Sequence, residues 1–253
     1  MNVLTDFDHE FFHQHGFVVL EGLLTRDELQ GYLELFEEDR RKVPLRWPLR
    51  GTQKCNCDAL ITTPEFDRAI RHPLILGATV ELMGGPVCFG ELCARQMDPL
   101  VRAKKQGWHR DKPHWPEHPL RMDFIQLMLY LSDVDETTHC FSISPEAVDE
   151  PILMDTTRQL KHRGAIDIHG PAGTVCLFNV SVLHRANVRK GGQERKSLQV
   201  YYGHRHRPYL ADDSIVPPMF FDDPDPEARA FYGNINDITR IYLRGFGMEE
   251  PNT

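Results

Sequence analysis

Apolar and polar positions divide the chain near residue 85. Before that point the apolar residues recur at helical spacing. Thr5 with Asp8, and Thr25 with Glu28, have the offset of a capping box, in which hydroxyl and carboxylate satisfy backbone N–H groups at a helix start. The second opens a segment with Leu29, Leu33 and Phe36 on one side, ending before Pro44. Thr63-Pro64 predicts another helix start, and the helix over 73–83 is predicted to stop at Gly84-Gly85. Between the first two helices Phe17-Val18-Val19-Leu20 reads as a short strand entered through Gly16.

From residue 86 short apolar segments alternate with turn-rich ones: Val87–Met97, Phe124–Leu131, Phe141–Ile143, Ala165–Ile168, Thr174–Phe178 and Leu198–Tyr202. Gly, Pro, Asp and Asn between them predict the strands of an all-β sandwich or barrel. Leu198, Val200 and Tyr202 alternate with Gln199 and Tyr201, as in a strand with two unlike faces. The 124–131 segment is apolar except for Gln126, which predicts a strand covered on both sides with one polar group pointing inward for a purpose. The expected architecture is mainly β with flanking α: an N-terminal helical layer packed on a sandwich.

The chain has 253 residues, 41% of them hydrophobic, enough for a sizeable core. No repeat or Gly/Ser linker divides it. Residues 1–253 therefore read as one domain: helix-rich 1–85, a β core of about 86–205 and a C-terminal loop and helix region, 206–253. A net charge of −8 argues against nucleic acid as partner, which requires a clustered basic face. No apolar run approaches a membrane span, and Met1–Asp6 lacks the basic and apolar regions of a signal peptide. A cytoplasmic protein with no membrane partner is expected, of unknown oligomeric state. The six cysteines form no CxxC and read as reduced, mostly buried thiols; Cys55-Asn56-Cys57 is either part of that set or a metal or redox pair.

The chemistry centres on His109-Arg110-Asp111. In an extended segment residues two apart project to one side, so His109 and Asp111 can grip one ion with Arg110 pointing away. Two imidazoles and a carboxylate hold iron(II) on one face and leave the other positions open. His184 supplies the second imidazole, following the Thr174–Phe178 strand. Arg195, eleven residues on, offers a guanidinium fork for a carboxylate. The turn-like Lys190-Gly191-Gly192 predicts a hairpin that returns Arg195 beside the His184 strand.

With these residues in order, the chain resembles the phytanoyl-CoA dioxygenase-like family of iron(II)/2-oxoglutarate oxygenases. The resemblance runs through nearly the whole chain: Phe11 to Leu24, Asp98-Pro99-Leu100, Gln106 to Asp111, Gln126–Leu131 leading into Ser132-Asp133-Val134, and the final His184, Arg195 and Leu198-Gln199-Val200. It implies a double-stranded β-helix, a jelly-roll or cupin-like sandwich. It implies His109, Asp111 and His184 as iron ligands and Arg195 as partner of the distal carboxylate of 2-oxoglutarate. Fe(II), 2-oxoglutarate and O2 are then required, with ascorbate as reductant in vitro. The implied reaction oxidises a C–H bond of a small-molecule substrate, releasing succinate and CO2. Asp111 favours hydroxylation, desaturation or ring closure, since related halogenases replace this carboxylate with a small residue. Two departures stand out. His139-Cys140-Phe141-Ser142-Ile143-Ser144-Pro145-Glu146 replaces a Gly-Cys-Leu…Pro-Gly-Ser-His stretch, and Ala186 stands where a small polar residue is common.

Further candidates are less specific. Gln126, Met128 and Tyr130 share a strand face, so Gln126 is either a cofactor or substrate contact or a satisfied buried amide. Trp108, Lys112, His114 and Trp115 flank the motif as a substrate mouth or an ordinary loop, with Arg110 and Lys112 favouring an anionic group. Arg102, Lys104 and Lys105 add positive charge upstream. His204 and His206 offer a rival, cupin-type metal site that would work without 2-oxoglutarate. A catalytically silent metal-binding jelly roll is the remaining alternative. The acidic, proline-rich stretch from Asp212 to Glu227 reads as an ordered loop or lid.

Overall fold

The computed structural model describes residues 2–99, 107–190, 193–207 and 213–250. Arg102, Lys104 and Lys105, Gly191-Gly192 and Asp212 lie outside them.

Both capping boxes form. Thr5 caps α1 (Asp6–His15) and Thr25 caps α2 (Arg26–Lys42), each hydroxyl accepting from the third residue of its helix while that residue's carboxylate accepts from the cap. Gly16 ends α1 at φ +75°, a left-handed conformation that suits glycine, and the chain turns directly into β1 (Phe17–Leu20). A short hairpin, β2 (Leu49–Arg50) and β3 (Gln53–Asn56), precedes two single-turn helices, α3 (Ala59–Thr62) and α4 (Asp67–Ile70). The helix predicted from Thr63 is therefore a 3-10 turn, Pro64–Phe66, running into α4. Helix α5 (Pro73–Met83) ends at Gly84 as expected.

The remaining strands are β4 (Val87–Met97), β5 (Phe124–Tyr130), β6 (Cys140–Ile143), β7 (Ile166–Ile168), β8 (Val175–Asn179), β9 (His184–Asn187) and β10 (Arg195–His204). Helix α6 (Thr156–Arg163) joins β6 to β7, and α7 (Pro226–Tyr232) and α8 (Asp237–Gly245) close the C-terminal region. The stretch before α7 holds a 3-10 turn at Pro218–Phe220.

Seven strands form an antiparallel sheet in the order β1-β8-β5-β10-β4-β3-β2, and three form a second sheet, β7-β6-β9. His109 extends the small sheet by an antiparallel bridge to His184 on β9. From β4 onward the chain crosses between sheets, a winding that fits the jelly roll implied by the family resemblance. One face of the large sheet carries Leu92, Ala94, Ile125, Leu127, Leu129, Val175, Leu177, Leu198 and Val200 against α1, α2, α4 and α5. The opposite face turns Met128, Tyr130, Cys176 and Phe178 toward Phe141, Ile143 and Ile168 of the small sheet. These two cores leave the inner faces of β4, β5 and β10 to carry polar groups in a low-dielectric interior.

One expectation fails here. Arg195 does not return beside the His184 strand: β9 belongs to the small sheet, while β10 lies in the large one between β4 and β5. The two strands are therefore not hairpin partners. Arg195 still faces His184's interior, because the two sheets share it.

Candidate active site

His109 and His184 are held to each other by a reciprocal backbone pair, His109 N–H to His184 O at 3.0 Å and His184 N–H to His109 O at 2.9 Å. Asp111 N–H donates to Val180 O at 3.0 Å, which fixes the third member against the same stretch of chain. The rings lie 4.4 Å apart between centroids. The Asp111 carboxylate sits between them, Oδ1 at 3.4 Å from His109 Nε2 and Oδ2 at 3.5 Å from His184 Nε2. His109, Asp111 and His184 thus present one donor atom each, all within 4.8 Å of one another.

Orientation of the rings suits a metal. His184 Nδ1 is 2.8 Å from Val182 O and His109 Nδ1 is 3.2 Å from Gly107 O. A carbonyl only accepts, so each Nδ1 donates and each ring turns Nε2, the atom that would ligate a metal, toward Asp111. Burial would raise the Asp111 pKa, but hydrogen bonds from both histidines and from Tyr201 hold it far below the usual carboxylate range. The hydrogen bond to Asp111 raises that of His109. A divalent cation held here would take the place of the protons that link the histidines to the carboxylate. His184 is buried whereas His109 is half exposed, so the centre opens to solvent on the His109 side.

Tyr201 was not singled out from sequence. It projects inward from β10 and its hydroxyl donates to Asp111 Oδ2 at 2.8 Å. Two further inward positions on the same strand are Arg195 and Ser197, spaced by the period-two rule. The Arg195 side chain is 1% exposed, and Nε, Nη1 and Nη2 have no hydrogen-bond partner among the described residues. The Oγ of Ser197 is likewise buried and unpartnered. Burial depresses the Arg195 pKa, opposed by nearby Tyr130 and Cys140. A buried guanidinium without a counter-charge is costly, so this arrangement is that of a site made for an anion. A dicarboxylate with one end on the metal and the other on Arg195 fits the donor set. Ala186 packs with Met97 and Val188.

The other sequence candidates are distributed as follows. Gln126 is buried on the inner face of β5, paired across the ladder with Tyr201. Tyr130 is buried near Arg195 and its hydroxyl donates to Ile168 O at 2.9 Å. Lys112 pairs with Asp123 at 3.1 Å and lies over the Phe124 ring. Trp115 carries the Arg207 guanidinium on its face, 4.4 Å from the ring centre. Arg110 turns away from the metal centre as expected and forms a two-pronged pair with Glu146, both contacts 2.5 Å, with His114 at 3.4 Å from the same carboxylate. The cations of Arg110 and Lys112 are thus neutralised within the protein. His204 meets the Trp115 ring edge-on and the His206 ring at a tilt, and no acidic or cysteine side chain completes a metal group with either among the described residues.

Together these features form a candidate metal and dicarboxylate centre inside a jelly roll. The sequence matches the phytanoyl-CoA dioxygenase (PhyH) family over residues 12–197, and the chain belongs to that family. It is 24% identical over 166 residues to L-proline trans-4-hydroxylase of Streptomyces griseoviridis, spanning 53% of this chain and 61% of that relative's length. Among solved structures, the fold is similar to the non-heme alpha-ketoglutarate-dependent carbocyclase SnoK from nogalamycin biosynthesis, with a TM-score of 0.69, 17% identity, and 83% of this chain and 88% of that one covered. EctD from S. alaskensis, with bound Fe, also has a TM-score of 0.69 at 15% identity, covering 86% and 83%. The epimerase SnoN, in a complex with Fe3+, alpha-ketoglutarate and nogalamycin RO, has a TM-score of 0.64 at 19% identity, covering 87% and 90%. No helix among the described residues is long and apolar enough to cross a membrane.

Proposed function

We propose that the chain is an iron(II)- and 2-oxoglutarate-dependent dioxygenase that hydroxylates a C–H bond of a small organic molecule in the cytoplasm. The observation that carries this reading is the buried, partnerless guanidinium of Arg195 facing the interior that also holds His109, Asp111 and His184. A metal-binding protein without turnover has no need of that guanidinium, and its cost argues against the silent alternative.

Iron(II) with 2-oxoglutarate and O2 supplies C–H oxidation coupled to release of succinate and CO2. The protein's own groups do the rest. His109, Asp111 and His184 hold the ion, and the carbonyls of Gly107 and Val182 fix the imidazole tautomers. Tyr201 orients Asp111. Arg195, with Ser197 beside it, pairs with the distal carboxylate, and Gln126 lies across from Tyr201 as a further polar contact. The apolar lining from Phe141, Phe178 and Met128 limits water in the interior. The kinship with a proline hydroxylase and the preserved carboxylate ligand support hydroxylation of a compact, polar metabolite or natural-product intermediate.

Succinate formation from 2-oxoglutarate with iron(II) and ascorbate, screened against a metabolite library that includes free amino acids, tests the proposal. The expected result is substrate-stimulated succinate and a product carrying one oxygen atom from O2. Failure to bind 2-oxoglutarate, with no turnover on any substrate, overturns it.

A further inference from the structure

A second cluster of soft donors lies beside this interior and plays no part in the reaction above. Cys55 and Cys57 sit on β3 and just beyond it, and Cys93 lies on the neighbouring β4. The β3–β4 register pairs Cys55 with Arg95 and Asn56 with Ala94, so the next step of the ladder brings Cys57 opposite Cys93. Asn56 points the other way: its Nδ2 donates to Asp39 Oδ1 at 2.8 Å and Thr62 Oγ1 at 3.0 Å. Anchoring Asn56 in that polar knot forces the residues on either side to the opposite face. The buried hydroxyl of Ser214 then donates to the Cys57 carbonyl at 2.7 Å and accepts from the Leu92 N–H at 3.1 Å, beside Cys93. The result is three buried thiols whose sulfurs lie within 4.8 Å of one another, Cys57 and Cys93 only 3.0 Å apart.

We propose that Cys55, Cys57 and Cys93 form a second, thiolate metal site for zinc(II), with its fourth position filled from the adjoining carboxylates of Glu91 and Asp213. Cys57, Glu91 and Asp213 form their own donor group within the same 4.8 Å limit, and Asp213 is exposed, giving the ion a route from solvent. Three sulfurs and one oxygen match the tetrahedral preference of zinc, and sulfur selects it over iron(II) held by nitrogen and oxygen. The surroundings offset the negative charge that results. Arg95 faces the thiols with a buried, partnerless Nε, and Arg50 Nη1 lies 4.0 Å from Cys57 Sγ. An ion here pins β3 to β4 at the edge of the inner face that carries Glu91 and Arg95.

Cobalt(II) titration of the reduced full-length chain tests this, because thiolate ligation gives near-ultraviolet charge-transfer bands that histidine and carboxylate ligands do not. The bands are expected in the wild type and in His109→Ala, and cobalt affinity at this site should fall more than about tenfold in each of Cys55→Ser, Cys57→Ser and Cys93→Ser. If the serine variants fold poorly, zinc-loaded wild type provides a second test: a mercurial thiol reagent should release about one equivalent of zinc per chain, whereas the histidine site keeps its ion. The proposal is overturned if the reduced wild type shows no thiolate–cobalt band, if the band survives in the triple serine variant, if the mercurial releases no zinc, or if peptide mapping of the isolated protein finds Cys57 and Cys93 joined in a disulfide. Retention of the band in His109→Ala separates this result from any failure at the oxygenase centre.

Discussion

The Tyr201 hydroxyl donates to Asp111 Oδ2 at 2.8 Å, joining the last strand of the large sheet to the edge of the small one across 90 residues of sequence. This part-buried hydrogen bond holds the carboxylate that faces both histidines. Tyr201→Phe keeps the ring and removes only the donor. The expected outcome is an iron(II) dissociation constant raised by roughly 10-fold or more, in line with losses of groups that orient metal ligands. Anaerobic iron titration of wild type and variant checks it; equal affinities would show that Asp111 is oriented by the imidazoles alone.

Arg195 predicts an inverted relation between stability and ligand response. Its guanidinium is buried without a counter-charge, so it destabilises the ligand-free protein. Arg195→Met fills similar volume without charge. That variant should melt at a higher temperature than wild type when 2-oxoglutarate is absent. It should also lose the stabilisation by ligand, which for wild type amounts to about 2.7 kcal/mol at a hundredfold excess over Kd. Thermal denaturation with and without 2-oxoglutarate, at fixed metal, reads both effects. An Arg195→Met variant that still gains stability from 2-oxoglutarate would remove the guanidinium from the co-substrate's binding.

Glu146 gives the pH dependence. Burial would raise its pKa, but hydrogen bonds from His114 and Arg110 and their charges lower it. A carboxylate whose folded pKa is depressed contributes stability that is complete above its unfolded pKa and is lost as pH falls through the folded value. Glu146→Gln leaves the Arg110 charge buried without its counter-ion, at a cost of about 3 kcal/mol near neutral pH. The stability gap between wild type and Glu146→Gln should therefore be widest above about pH 5 and close progressively in more acidic solution. Urea denaturation over that range measures it, and a gap independent of pH would mean that the pair is held by shape and not by charge.

The candidate pair His109 and Asp111 was legible in sequence because its geometry is local: residues two apart on an extended segment share a face whatever surrounds them. Capping boxes at Thr5 and Thr25 are local in the same sense. The hairpin failed because spacing and turn residues do not say which sheet a strand joins, and β9 and β10 part company at that point. Tyr201 and Ser197 escaped notice although the signal was present. Arg195, Ser197, Gln199 and Tyr201 form a polar alternation opposite Leu198, Val200 and Tyr202, which marks a face turned toward chemistry. What sequence alone does not carry is register: only the pairing of Tyr201 with Gln126 and Glu91 puts the phenol level with Asp111. The pairing of Arg110 with Glu146 is hidden for the same reason, since 36 residues and a change of sheet separate them.

That register depends on an irregularity at Gly90. The β4–β10 ladder pairs Tyr202 with Phe89 but Tyr201 with Glu91, leaving Gly90 as the extra residue of a bulge. The bulge lets Phe89 and Leu92 both face the helices while Glu91 and Tyr201 face inward. A Cβ at Gly90 would lie 3.0 Å from the Tyr201 carbonyl oxygen and 3.1 Å from its Cβ. Gly90→Ala must therefore push β10 away at the residue that orients Asp111, at a cost of roughly 1–3 kcal/mol in stability. Weaker iron binding should accompany it, because the phenol moves with its backbone. If both effects act through one hydrogen bond, Gly90→Ala should add little to the affinity loss once Tyr201→Phe has removed the donor. A double-mutant cycle on iron(II) affinity tests this, and fully additive losses would separate the bulge from the orientation of Asp111.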